Sequence, residues 1–338
     1  MTHTKCYLKD YPRPQLVRTD WVNLNGDWRF AFGDERTAKQ VFAGDLPRVI
    51  RVPFSYETAM SGIGDETPHH VVWYARTIAG KKGRRAILHF EGADYDTQVF
   101  VNGKQVGCHR GAYSRFSFDV TEALTKAENT LVVRCEDNDH PVQVRGKQRW
   151  EDKYFGCWYV QTTGIWKTVW MEYVDETYLT QLKITPDLSD YSVRFDVSVS
   201  TPAPDVQVSF DISFRGKFVC SARVSAAEID NSVRVRLDST NLTYQAEIWS
   251  VENPALYDVD ITVWKGERAV DRVGSYFGLR DFTAKEGKLL CNNVPFYARL
   301  LLDQGYWAQS GITPPDEEAL IRDIELCKKM GFNGVRKH

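Results

Sequence analysis

The sequence predicts a mainly β chain. An all-β sandwich or jelly roll comes first, an immunoglobulin-like β-sandwich follows, and a strand–helix–strand unit of a parallel sheet comes last. Three observations carry this reading. Short alternating apolar segments separated by Gly, Asn and Asp turns recur from Gly26 to Tyr173. A second set of such segments runs from about Tyr178 to Ala284. The last stretch, Lys288–His338, reads as an apolar run, then a segment of helical period, then a second apolar run.

In the first unit, Asp27–Phe32, Val72–Ile78 and Arg85–Glu91 alternate. Thr97–Val101 then meets Asn102-Gly103, the strongest short hairpin signal, and Lys104–Gly107 returns. Arg115–Val120, Asn129–Glu136 and Gly164–Tyr173 complete the set. Trp28, Trp73, Trp166 and Trp170 lie inside these patterns and are expected in the core. The second unit is read from Tyr191–Ser200, Val206–Phe214, Phe218–Val224, Val233–Leu237, Val259–Trp264 and Arg272–Phe282.

In the final unit, Phe296–Leu302 is expected as a buried strand. Thr313 is expected as the N-cap of a helix, with Pro314 at its first position and Asp316 three residues after the cap. Leu320, Ile324 and Cys327 share one helical face, Gly331 can end the helix left-handed, and Phe332–Arg336 begins a second strand. Strand, helix, strand is one βαβ unit, whose natural home is a parallel sheet.

The chain has 338 residues, which implies two or three domains, and a 43% hydrophobic, 26% charged composition suited to a sizeable core. A net charge of −2 argues against nucleic acid or an anionic membrane as the main partner. No run of 18 apolar residues occurs, so no membrane span is expected. The 7 cysteines, Cys6, Cys108, Cys135, Cys157, Cys220, Cys291 and Cys327, form no Cys-x-x-Cys pair and read as unpaired thiols. With no apolar leader in MTHTKCYLKDYPRPQ, a cytoplasmic location is expected. Asn241-Leu-Thr243 matches the glycosylation acceptor pattern, which carries no meaning in that compartment.

Three stretches together resemble glycoside hydrolase family 2, the β-galactosidase and β-glucuronidase family. They are LNGDWRFAF; FEGADYDTQVFVNGKQVG with TTGIWKTVWMEYV; and NPALYDVDITV with VGSYFGLRDF, FYARLLLDQGYW and KKMGFNGVRKH. They cover nearly the whole chain, in the family's order. The resemblance implies a jelly-roll sugar-binding domain at 1–176, an immunoglobulin-like domain at 177–284 and the start of a TIM barrel at 285–338. It also implies retaining hydrolysis of a β-galactoside or β-glucuronide by two barrel glutamates roughly 5 Å apart. In the family these lie at the ends of the fourth and seventh barrel strands. This chain reaches about the second, so neither is present and the chain alone is expected to be inactive. Glu317, Glu318 and Glu325 lie on the first helix, in a barrel the outer ring, and do not replace them.

The candidate sugar contacts follow from the same layout. Between Glu136 and Gly164 runs a long polar and aromatic loop, and loops of that length in compact domains are functional or disordered. Its GKQRW segment resembles the family loop that reaches the active-site mouth. Arg145, Lys147 and Gln148 supply donors there and Trp150 a stacking face. Asp303 and Gln304 end the first barrel-type strand, and Arg336 and His338 the second, where barrels gather functional groups. His69 and His70 read as loop surface, since no third metal ligand is evident. No catalytic residue, metal or cofactor is assigned. Carbohydrate is the expected partner, self-association into a homo-oligomer is compatible, and a stand-alone carbohydrate-binding module without catalysis is the alternative function.

Overall fold

A computed structural model describes residues 8–138, 140, 142–151, 153–159, 161–237 and 246–338. Cys6 and the Asn241–Thr243 acceptor lie outside the described residues.

The first unit contains β1 (Trp21–Asn23), β2 (Gly26–Phe32), α1 (Ala38–Phe42), β3 (Arg48–Val52), β4 (Val71–Ile78), β5 (Arg85–Phe90), β6 (Ala93–Asp94), β7 (Asp96–Val101), β8 (Lys104–Arg110), β9 (Phe116–Asp119), β10 (Asn129–Glu136), β11 (Gly164–Ile165) and β12 (Val169–Val174). A four-stranded sheet, β1-β12-β5-β9, faces a six-stranded sheet, β3-β2-β4-β10-β7-β8, and all ladders are antiparallel. Inward alternation delivers Trp28, Phe30, Tyr74 and Val133 from one sheet and Leu88, Phe90, Met171 and Tyr173 from the other into one core. All four tryptophans expected in the core are buried there or beside it. The Asn102-Gly103 turn forms as expected: both residues have positive φ, 52° and 82°, and Val101 pairs Lys104 across it.

The second unit contains β13 (Leu179–Asp187), β14 (Ser192–Val199), β15 (Val206–Phe214), β16 (Lys217–Ser225), β17 (Asn231–Arg236), β18 (Tyr257–Lys265) and β19 (Arg268–Phe277). Its sheets, β13-β14-β17 and β16-β15-β18-β19, enclose a second core. Phe195 stacks on Phe210 and Tyr257 on Phe277 inside it. The sequence reading did not single out β13 as a strand. It is a half-exposed edge strand, and edges are where a residue such as Pro186 is tolerated. The expected strand Arg272–Phe282 instead ends at Phe277.

Buried ions join the two units. Arg18 donates to Glu172 of β12 and to Asp271 of β19, at 2.9 and 2.8 Å. His89 completes the set with a 3.0 Å contact to Glu172. Burial alone would raise the Glu172 carboxyl, but the hydrogen bond from His89 and the charge of Arg18 outweigh it and hold the group at about 2.

The last unit has β20 (Phe282–Lys285), β21 (Lys288–Cys291) and β22 (Val294–Pro295) in one small sheet, then β23 (Leu300–Asp303), α2 (Glu317–Lys329) and β24 (Gly334–Lys337). β23 and β24 pair in parallel, Leu300 opposite Gly334, so the strand–helix–strand reading holds. Its details shift. The first strand starts at Leu300, not Phe296, and the second at Gly334, not Phe332. The helix cap is Asp316, whose carboxylate accepts from the Ala319 amide at 2.8 Å, and not Thr313. Two causes move it. Pro315 keeps Pro314 out of the helical region. Thr313 is also claimed elsewhere, donating its buried hydroxyl to the Trp166 carbonyl at 2.5 Å. Gly331 does adopt φ 86° just past the helix end. Leu320 and Ile324 face solvent, as do Glu318 and Glu325.

Among the described residues no helix is long and apolar enough to cross a membrane, and the six described cysteines are free.

Candidate functional site

The long loop leaves β10 and first turns inward. Asp137 is buried at its start, accepting from Gln143 at 2.5 Å and from Gln161 at 3.0 Å. Arg145 is also buried. Its guanidinium donates to the carbonyls of Asn138 and Arg149 and lies 3.9 Å from Asp137. Gln148 is buried too. Its amide donates to Asp94, and its carbonyl accepts from the Thr162 amide at 2.7 Å. Both side chains therefore hold the loop to β6 and to its own return path. The bonds these donors make lie within the first unit.

Beneath the loop three carboxyl groups, Glu57, Asp94 and Asp137, are buried within one another's field, with Arg145 as a neighbouring guanidinium. Burial raises Glu57 to about 8, with the Thr163 and Ser55 hydroxyls pulling the other way. Burial and the nearby Asp137 also push Asp94 well above the ordinary carboxylate range. At neutral pH the Glu57 carboxyl is therefore largely neutral.

The outer part of the loop meets the end of β23. Lys147 donates to Gln304 at 3.0 Å, and the rings of Tyr159 and Tyr306 approach to 4.8 Å. A backbone bond from Met60 to Gln309 fastens the loop after β3 to the same place. These three segments enclose a cavity of about 460 Å3, walled by Tyr154, Tyr159, Tyr306 and Trp307, with Glu57 and Glu66 among its polar groups. Burial, with Tyr113 and Tyr159 adding to it, raises the Tyr306 phenol to about 12. An aromatic-walled pocket with a few converging polar groups suits a ring-shaped ligand carrying hydroxyls.

The predicted site residues divide. Lys147 and Gln304 meet beside this cavity. Trp150 is 37% exposed and packs on Phe155 and Trp158, away from the cavity lining. Asp303 pairs with Lys337 at 3.0 Å, and its carbonyl accepts from the His338 amide at 2.8 Å. Arg336 and His338 are exposed. His69 stacks on Phe32 at 3.7 Å and lies 3.3 Å from Asp65, while His70 contacts the Asp137 carbonyl. No group of three or more His, Cys, Asp or Glu among the described residues is arranged to hold a metal. Sequence reasoning did not pick out Glu57, Tyr154, Tyr159, Tyr306 and Trp307 for the site. An acid inside the apolar VPFSYETAM and two aromatics directly after Gly305 at a strand end were the available signals.

Comparison with known proteins places the chain in a family. Residues 177–280 match the family described as glycosyl hydrolases family 2, and residues 66–164 its galactose-binding domain-like unit. The chain belongs to glycosyl hydrolase family 2. It is similar to the β-galactosidase BoGH2A of Bacteroides ovatus, 26% identical over 93% of this chain and 38% of that protein. A β-galactosidase of Thermoanaerobacter pseudethanolicus is 25% identical over 94% of this chain and 43% of its own length. The chain thus spans less than half the length of these curated relatives. In fold it is similar to a Bifidobacterium dentium β-glucuronidase solved with coumarin-3-O-glucuronide. The TM-score is 0.77 and the identity 20%, over 95% of this chain and 58% of that one.

Proposed function

We propose that this chain is the non-catalytic front region of a retaining β-glycosidase, supplying scaffold and one wall of a sugar pocket. In this reading residues 1–176 are a jelly-roll domain, 177–284 an immunoglobulin-like domain, and 285–338 the opening βαβ unit of a TIM barrel. The substrate class is a β-galactoside or β-glucuronide, the activities named for its relatives.

The junction of Lys147 with Gln304 carries the reading. It sets the long loop against the C-terminal end of β23, and that is the face on which barrels place their chemistry. The aromatic cavity beside it, lined by Tyr154, Tyr159, Tyr306 and Trp307, supports the reading as a place for a sugar ring. Parallel pairing of β23 with β24 supports the barrel assignment, as do the exposed apolar residues Leu300, Leu302, Ile321 and Val335, which further strands and helices would cover.

The test is hydrolysis of p-nitrophenyl β-galactoside and β-glucuronide by the purified 338-residue chain. No turnover above the buffer blank is expected. Turnover that copurifies with the chain through two columns overturns the non-catalytic assignment.

A further inference from the structure

The cavity between the long loop and the end of β23 combines aromatic walls with carboxyl groups. Tyr154, Tyr159, Tyr306 and Trp307 line it together with Glu57 and Glu66, and no lysine or arginine among the described residues is in the lining. Glu57 is 4% exposed, and neither of its carboxyl oxygens has a hydrogen-bond partner among the described residues. A buried polar group left without a partner calls for a cause, and an absent ligand is one.

The charged groups around Glu57 are engaged elsewhere. Asp94 and Asp137 lie close enough to repel it. Arg145 donates to the Asn138 and Arg149 carbonyls and stands 3.9 Å from Asp137. Arg149 donates to the Glu66 carbonyl at 2.6 Å. Asp65 accepts from the Thr67 amide at 2.9 Å and lies 3.3 Å from His69. The Tyr56 and Tyr74 phenols are raised by burial and stay neutral, as do the Ser55 and Thr163 hydroxyls. Lys147 holds Gln304 and Lys337 pairs with Asp303, each at 3.0 Å. Each of these two ammonium groups also lies 5.9 Å from the centre of a wall ring, Tyr159 and Trp307 respectively, the outer limit of cation–π attraction. None of these cations pairs with Glu57. Burial without a cation is why its carboxyl keeps a proton at neutral pH.

We propose that this cavity binds a small organic cation, an alkylammonium group seated among the aromatic rings above Glu57. Ring faces attract such a cation and tolerate its methyl groups, and a carboxylate beneath supplies the counter-charge. The ammonium takes the place of the carboxyl proton: the Glu57 O–H bond breaks, the electron pair stays on the carboxylate, and the proton passes to solvent. A metal ion suits the site less, since no group of three or more His, Cys, Asp or Glu among the described residues is arranged to hold one. Cation binding goes beyond the sugar-ring role of the same cavity and needs no turnover, so its test and the hydrolysis assay fail independently.

The 338-residue chain is titrated by calorimetry, at constant ionic strength, with choline and with the neutral isostere in which a carbon replaces the nitrogen. Choline is expected to bind with a millimolar Kd, about fivefold tighter than the isostere. Its affinity should rise from pH 7 to pH 9, because Glu57, titrating at about 8, then has no proton to give up. At pH 7 binding should release a proton, read as a heat that changes with the ionisation enthalpy of the buffer. Glu57→Gln should abolish that release and flatten the pH dependence with an unchanged far-UV spectrum. Tyr154→Ala, at a side chain that is 65% exposed, should weaken binding about threefold. Equal binding of the isostere, choline binding without proton release, or an affinity untouched by both variants overturns the proposal.

Discussion

Lys147 donates to Gln304 at 3.0 Å across 157 residues of sequence, and this bond sets the loop of the first unit against the first parallel strand of the last. It is half-buried and charge-assisted, so it contributes more than an exposed pair. Lys147→Met and Gln304→Ala should each lower stability by about 1 kcal/mol and speed amide exchange in residues 147–159. The double variant should cost no more than the larger single, because both remove one bond. Additive losses in chemical denaturation would show that the pair is not coupled.

Glu57 sets a pH dependence of stability. Its carboxyl titrates near 4.5 unfolded and near 8 folded. Between those values the folded chain keeps a proton that the unfolded chain loses, so stability falls as pH rises, by up to about 1.4 kcal/mol per pH unit. Asp94 is raised as well and acts with the same sign. Glu57→Gln, neutral at every pH, should gain on the wild type steadily from pH 5 to pH 8 in urea titrations. A constant gap between the two proteins over that range would contradict this.

Arg18 is the centre of the buried junction between the first two units. Arg18→Met strips buried Asp271 of its guanidinium partner and leaves buried Glu172 with only His89, Tyr11 and the more distant Arg13, a loss that costs roughly 3 kcal/mol. The loss should appear at neutral pH and shrink in acid. Glu172 titrates near 4.5 unfolded and about 2 folded, so its ionised-state stabilisation, present above 4.5, disappears as pH falls through that window. Guanidinium titrations at pH 7 and pH 3 separate these outcomes.

Gly164 begins β11 with φ 80°, and a Cβ there would collide with the Tyr74 hydroxyl. Gly164→Ala should therefore cost about 3 kcal/mol, combining backbone strain with the clash. Adding Tyr74→Phe, which removes the colliding oxygen, should recover part of the loss. A variant as stable as the wild type would show that the backbone relaxes freely.

Much of this architecture was legible in residue order. Alternation in Val206–Phe214 and the Asn102-Gly103 turn are local signals, and strands with one buried face must display them. The parallel pairing of the last unit was legible for the same reason, since a helix between two apolar strands leaves few other arrangements. The cap of α2 was not. Asp316 and Thr313 are both competent caps by type. The choice fell to the Trp166 carbonyl, 147 residues away, which takes the Thr313 hydroxyl.

The site followed the same division. Sequence alone determined that the stretch from 137 to 163 is long, polar and aromatic, and that Gln304 follows a strand, because composition and period are properties of neighbours in the chain. Only the tertiary structure decided which polar groups in that stretch face inward. Gln148 is committed to Asp94, 54 residues away, and Arg145 to the loop's own carbonyls, while Lys147 reaches Gln304. It also decided that Glu57 sits beneath them in a field of carboxyls, largely neutral at neutral pH. Burial and partner choice depend on distant segments coming together, and no local pattern of residues encodes which of several equivalent donors will find its acceptor.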